Sequence, residues 1–233
     1  MDSLGEEFDA AWEQFLSLES LRLLPETLES AWTRGLETYL AFLVGIDEPA
    51  VLAHLRSIVR TIEGIPGVEP YPESYWHATI KGIGFGVRDE EHADGVGEEQ
   101  LARIANAARK VFAWQPAFEI QIGPPNGFPE VVFAEVWGSL PVREMNVRLL
   151  EAAPELVRYP FDGEVFLPHV SVARFTSNDG LRELKEALAE ERREIAGGPR
   201  LFVDEVRLVR AHLSAAAPRL ETIESYRLGG VRS

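Results

Sequence analysis

Two short segments carry residue types and spacings suited to chemistry: Trp76-His77-Ala78-Thr79-Ile80-Lys81 and Pro168-His169-Val170-Ser171-Val172-Ala173-Arg174. Each sets a histidine two residues before a hydroxyl, inside an alternating apolar run of strand type. A β-strand points residues i and i+2 to the same face, about 6.5–7 Å apart. His77 and Thr79 are therefore expected to project together, with Lys81 on the same face, and His169 and Ser171 likewise. Imidazole titrates near neutral pH, so each ring can give or take a proton. Two such pairs facing each other across a groove supply two proton carriers and two hydroxyl donors for a phosphate. Arg174 falls on the opposite face unless a bulge intervenes. A third histidine with a hydroxyl at i+2, His212 with Ser214, runs into Ala215-Ala216-Ala217-Pro218 and reads as incidental to a strand end.

The surrounding elements must hold the two strands against each other. Residues 1–36 read as a helical extension with eight acidic side chains against Arg22 and Arg34. Phe8, Ala11, Trp12, Phe15 and Leu16 recur there at helical spacing, and Pro25 suits the start of a second helix. Thr38–Ile46 reads as a buried strand. Asp47 is placed to cap a helix that has Pro49 in its first turn and runs to about Glu63. Gly64 to Pro72 reads as a loop, Asp89 to Glu99 as an acidic loop, and Gln100 to Phe112 as a helix. Ala117–Ile122 and Val131–Val136 read as strands around a Gly-Pro-Pro-Asn-Gly turn, followed by a helix from Val142 to Ala152. Asn178 or Asp179 is placed to cap a charged helix through Ile195, and Leu201–Leu213 with Glu221–Leu228 reads as a closing hairpin. Helices alternate with hairpin-connected strands, which predicts an α+β fold.

The chain has 233 residues, 45% apolar and 26% charged, enough for a full core in one large domain or two lobes. With no cysteine there is no thiolate nucleophile and no zinc–thiolate site. No His-Glu-x-x-His or phosphate-loop motif is present. Glu91, His92 and Asp94 form a weak cation-binding candidate, and no metal is expected. The acidic start lacks the order of a signal peptide and no apolar run spans a bilayer, so a cytoplasmic protein is expected. A net charge of −15 argues against binding long duplex nucleic acid, but not against a nucleotide or a chain end held locally. His54 on an amphipathic helix is expected to face solvent, as is His92. Trp12, Trp32 and Trp114 are expected in the core or at lobe contacts. Phe85, Trp137, Tyr159 and Phe166 are the candidates for stacking on a base.

Taken together, the two histidine segments resemble the paired His-x-Thr/Ser signatures of the 2H (two-histidine) phosphoesterase superfamily. Within it, the chain is most similar to the bacterial RNA 2′,3′-cyclic phosphodiesterases, also called 2′-5′ RNA ligases, over about Glu37 to Gly230. The resemblance implies a bilobal domain spanning 37–233. Two pseudo-symmetric antiparallel sheets carry helices on the outside and enclose a central cleft. It also implies hydrolysis of a 2′,3′-cyclic phosphodiester without metal or other cofactor, with weak reverse 2′-5′ ligation as a side activity. His77 is then the general acid and His169 the general base, while Thr79, Ser171 and Lys81 bind the phosphate. The expected partner is a nucleotide or RNA-end substrate bound by a monomer, with no membrane involved. Two competing readings stand beside this one. One is a nucleotide or RNA-end binder without turnover on the same fold, and the other is an interaction protein that uses its acidic N-terminal helices.

Overall fold

The structure is a computed structural model that describes residues 4–23, 36–87, 95–195, 197–213 and 218–229. The expected second helix near Pro25, Trp32, the residues of the Glu91–Asp94 candidate and Ser214 lie outside them. Among the described residues, ten strands form one curled sheet: β1 (Thr38–Gly45), β2 (Val68–Pro70), β3 (His77–Gly86), β4 (Gly95–Val96), β5 (Phe118–Gly127), β6 (Val131–Trp137), β7 (His169–Phe175), β8 (Arg200–Val203), β9 (Glu205–His212) and β10 (Arg219–Arg227). Their order is β10-β9-β1-β3-β7-β6-β5-β8, with β2 added to β7 and β4 to β3. The fold is α+β, as the alternation of elements predicts.

The first lobe consists of β10, β9, β1 and β3, and the second of β7, β6, β5 and β8. They meet at one residue pair, Ala78 opposite Val170. The two expected sheets are therefore continuous, joined at the two histidine strands. Among the described residues, five helices pack on this sheet: α1 (Gly5–Ser17), α2 (Pro49–Ile62), α3 (Glu98–Trp114), α4 (Leu140–Ala152) and α5 (Leu181–Glu194). Helical spacing explains the docking of α2, whose Val51, Leu55, Ile58 and Ile62 are fully buried. In the first lobe Phe42, Phe112 and Tyr226 pack ring on ring with centroids 5.3–5.9 Å apart.

Several local expectations are corrected. Glu48, not Asp47, precedes α2 and makes no side-chain cap, while Asp47 pairs with Arg207. Gly180 precedes α5, and the Asn178 side chain instead accepts the Leu21 N–H at 2.6 Å, holding the N-terminal segment. The Gly-Pro-Pro-Asn-Gly stretch is strand, with a register slip between Ile122 and Pro125 that accommodates prolines lacking an N–H. Leu201–Leu213 divides at Asp204. Its first part pairs with β5 and its second with β1 and β10, at the two ends of the sheet. His54 is partly buried, its Nε2 2.9 Å from the Gly123 carbonyl. Trp114 is 74% exposed.

Candidate active site

The pairing of Ala78 with Val170 settles where the two motifs meet. In an antiparallel ladder around that pair, His77 lies beside Ser171 and Thr79 beside His169. Ala78 and Val170 turn into the core and are fully buried, so all four motif side chains occupy the opposite, concave face and stay partly exposed. Diagonal neighbours across such a pair have side chains about 7–8 Å apart, room for one phosphate between the rings.

Both imidazoles are oriented by the same device. His77 Nδ1 lies 2.5 Å from the Tyr75 carbonyl, and His169 Nδ1 lies 2.8 Å from the Leu167 carbonyl. A carbonyl only accepts, so Nδ1 carries the proton in each ring and Nε2 is left to face the groove. The edge of Tyr75 meets His77 at 5.0 Å and 88°, and Phe128 meets His169 at 5.1 Å and 84°. Phe133 adds a second ring against His169 at 5.0 Å. Burial among these groups pushes His77 down to about 4, opposed by the Tyr75 carbonyl and reinforced by the charge of His169. Burial lowers His169 as well, opposed by the Leu167 carbonyl.

Directly after each hydroxyl the strand bulges. Leu43 pairs with Thr79 but Phe42 with Lys81, and Phe133 pairs with Ser171 but Val132 with Ala173. A bulge resets the alternation of side chains. Lys81 therefore leaves the face of His77 and Thr79, correcting its expected phosphate-binding role. It is 0% exposed, and its Nζ donates to Asp162 Oδ2 at 2.6 Å and to the Val157 carbonyl at 2.7 Å, over the Tyr159 ring. Asn146 completes this cluster by donating to the Ile80 carbonyl and to Asp162 Oδ1. Burial lowers the Lys81 pKa, and Asp162 opposes the shift. Arg174, after the second bulge, is also committed. It forms a two-pronged pair with Glu69 and lies over the ring of Tyr71. Each cation thus fastens the segment that leads into the other lobe's histidine strand.

Of the stacking candidates, Phe85 and Phe166 are buried, Trp137 donates its Nε1 to Glu135, and Tyr159 stacks on the exposed Phe161. A hollow of about 420 Å³ is lined by Tyr71, Trp76 and Arg60, and neither imidazole lines it. Among the described residues, no three His, Asp or Glu side chains gather to hold a metal ion, and no helix is long and apolar enough to cross a membrane. Sequence reading missed Tyr75, Phe128 and Phe133 as walls of the imidazoles. Tyr71 and Tyr75, four apart in the segment leading to His77, are the one signal that pointed there.

A family model described as the 2′-5′ RNA ligase superfamily matches residues 59–215. The fold is similar to TT0787 of Thermus thermophilus, at TM-score 0.62 and 20% identity over 83% of this chain and 100% of that one. It is also similar to E. coli LigT complexed with 3′-AMP, at TM-score 0.58 and 16% identity over 82% and 98%. A third likeness is to ATU0111 from Agrobacterium tumefaciens, a conserved protein of unknown function, at 0.55 and 13% over 94% and 98%. No curated protein matches significantly.

Proposed function

The chain belongs to the 2′-5′ RNA ligase superfamily, and on that footing we propose that it hydrolyses a 2′,3′-cyclic phosphodiester on an RNA end or small nucleotide. The single observation that carries this reading is the Ala78–Val170 pair, which puts two Nδ1-anchored imidazoles and two hydroxyls on one face. The 3′-AMP in LigT is in keeping with it.

In the proposed reaction His169 Nε2 takes a proton from water as its oxygen attacks phosphorus. The bond from phosphorus to one ribose oxygen breaks, and His77 Nε2 delivers a proton to that oxygen. The products are a phosphomonoester and a free ribose hydroxyl. Thr79 and Ser171 donate to the non-bridging oxygens as charge builds on them. With a ribose 5′-hydroxyl in place of water, the same displacement joins two chains, which is 2′-5′ ligation. Burial keeps both free rings neutral at pH 7. An anionic phosphate between them favours the charged ring, so the acid acquires its proton with the substrate.

The test is turnover of 2′,3′-cyclic nucleotides and cyclic-ended oligonucleotides in EDTA, with the products identified. A phosphomonoester is expected, at a rate indifferent to EDTA. A rate abolished by EDTA and restored by a metal contradicts the reading, and binding without any product leaves a nucleotide-binding module.

A further inference from the structure

Helix α1 lies outside the segment matched by the family model, yet it is built into the second half of the site. Phe133 pairs with Ser171, so its ring lies on the concave face of the second lobe, beside His169. It is nevertheless fully buried, because Leu4 and Phe8 of the N-terminal segment cover it. The Phe8 and Phe133 rings lie 6.4 Å apart, and Asn126 Nδ2 donates to the Phe8 carbonyl at 2.9 Å. A second connection is polar. Glu7 accepts two hydrogen bonds from the Arg143 guanidinium, from Nη1 at 2.9 Å and from Nη2 at 2.5 Å. Arg143 Nε donates to the Phe166 carbonyl at 2.6 Å, and the next carbonyl, that of Leu167, fixes His169 Nδ1.

We propose that α1 is a positioning element for His169, acting through the packed contact Phe8–Phe133 and through the hydrogen-bonded chain Glu7–Arg143–Phe166. The consequence for rate rests on the phosphodiesterase reading above, while the consequence for the ring does not. Glu7 and Phe8 touch neither substrate nor the reacting atoms. They hold the ring and the peptide that aim Nε2 into the groove. Among the described residues, the ring packed on His77 is Tyr75 of its own lead-in segment, and α1 does not reach it.

The test compares Phe8→Ala, Glu7→Gln and the exposed control Glu13→Gln in the full chain, with folding checked by circular dichroism. Imidazole nitrogen NMR reads the two histidines separately. In Phe8→Ala and Glu7→Gln, the His169 ring loses its single Nδ1–H tautomer and its titration moves toward the ordinary histidine range, while His77 is unmoved. The other ionisable groups facing His169 are His77 across the junction, which serves as the internal reference, and Glu135 on β6, whose carboxylate is engaged by Arg192, Trp137 and Asn126. On a cyclic substrate, kcat falls about 10–100-fold with KM little changed, the scale expected when a catalytic group is displaced by about an ångström. Glu13→Gln matches the parent in both readouts. His169 signals unchanged in a folded Phe8→Ala or Glu7→Gln protein overturn the proposal. If Phe8→Ala fails to fold, the charge-only change Glu7→Gln decides. A parent without activity whose His169 responds as described overturns the phosphodiesterase reading and leaves the positioning role standing.

Discussion

The two lobes build their histidines alike and support them differently. On each side the histidine opens a strand, its Nδ1 is tied to the carbonyl two residues earlier, a hydroxyl follows at i+2, and a bulge comes next. The lead-in segments are exchanged. Val68–Pro70, ahead of β3, pairs along β7, while the loop from Val157 to Asp162, ahead of β7, is bonded to Lys81 of β3. The supports then diverge. Lys81 and Asp162 are sealed from water, whereas Arg174 pairs with a Glu69 that is 43% exposed. The concave face near His169 lies beneath α1, while that of the first lobe bears a small cluster of Ala41, Leu43 and Val209. Symmetry is kept in the two histidine–hydroxyl pairs, and it is relaxed in the scaffolding.

This comparison can be broken at its symmetric part first. His77→Ala and His169→Ala should each lower kcat by about 10²–10⁴-fold, and the double variant should fall far short of the product of the two losses. Steady-state kinetics on a cyclic substrate checks this, and a large loss from one histidine alone would make the site one-sided. The asymmetric supports come next. Lys81→Met strands the buried Asp162 carboxylate and should cost about 3–5 kcal/mol in urea unfolding. Lys81→Met combined with Asp162→Leu should recover most of that loss, because the uncompensated charge is gone. Thr79→Val and Ser171→Ala should each reduce kcat by about 10²-fold with the fold intact. Glu69→Gln, at the pair whose carboxylate is open to water, should cost about 1 kcal/mol, less than Lys81→Met.

Protonation gives a further check. Both histidines titrate below the ordinary value of about 6.5 in the folded chain. The unfolded chain therefore takes up protons first as pH falls. Their contribution to stability is complete above about pH 6.5 and declines as pH drops through that value toward about 4 for His77. Tm measured from pH 7 to 4 should fall less steeply in His77→Ala than in the parent. The kcat/KM profile should be a bell centred on the acid side of about pH 6.5, since it reports the free enzyme.

The two histidine–hydroxyl pairs were legible because a two-residue period is enough to place His77 with Thr79 and His169 with Ser171. That same rule misplaced Lys81, since a bulge inserts one residue and nothing in Thr79-Ile80-Lys81 announces it. Asp204 misled in a related way. The alternating stretch from Leu201 to Leu213 carries only the Asp204-Glu205 pair to mark that its parts serve opposite ends of the sheet. The amphipathic spacing of Phe8, Ala11, Trp12 and Phe15 predicted a helix with an apolar side. What that side covers depends on contacts more than 100 residues away, such as Phe8 with Phe133 and Asn126. Local pattern thus gave the parts of the site, and long-range packing gave its walls.

One anion shared by His77 and His169 is the central claim, and a crystal structure with a 3′-nucleotide tests it most directly. The phosphate is predicted to lie within hydrogen-bonding distance of both Nε2 atoms and of the Thr79 and Ser171 hydroxyls, with the Lys81–Asp162 pair unbroken. A phosphate seated on one imidazole alone, or drawn to Lys81 away from Asp162, would contradict it.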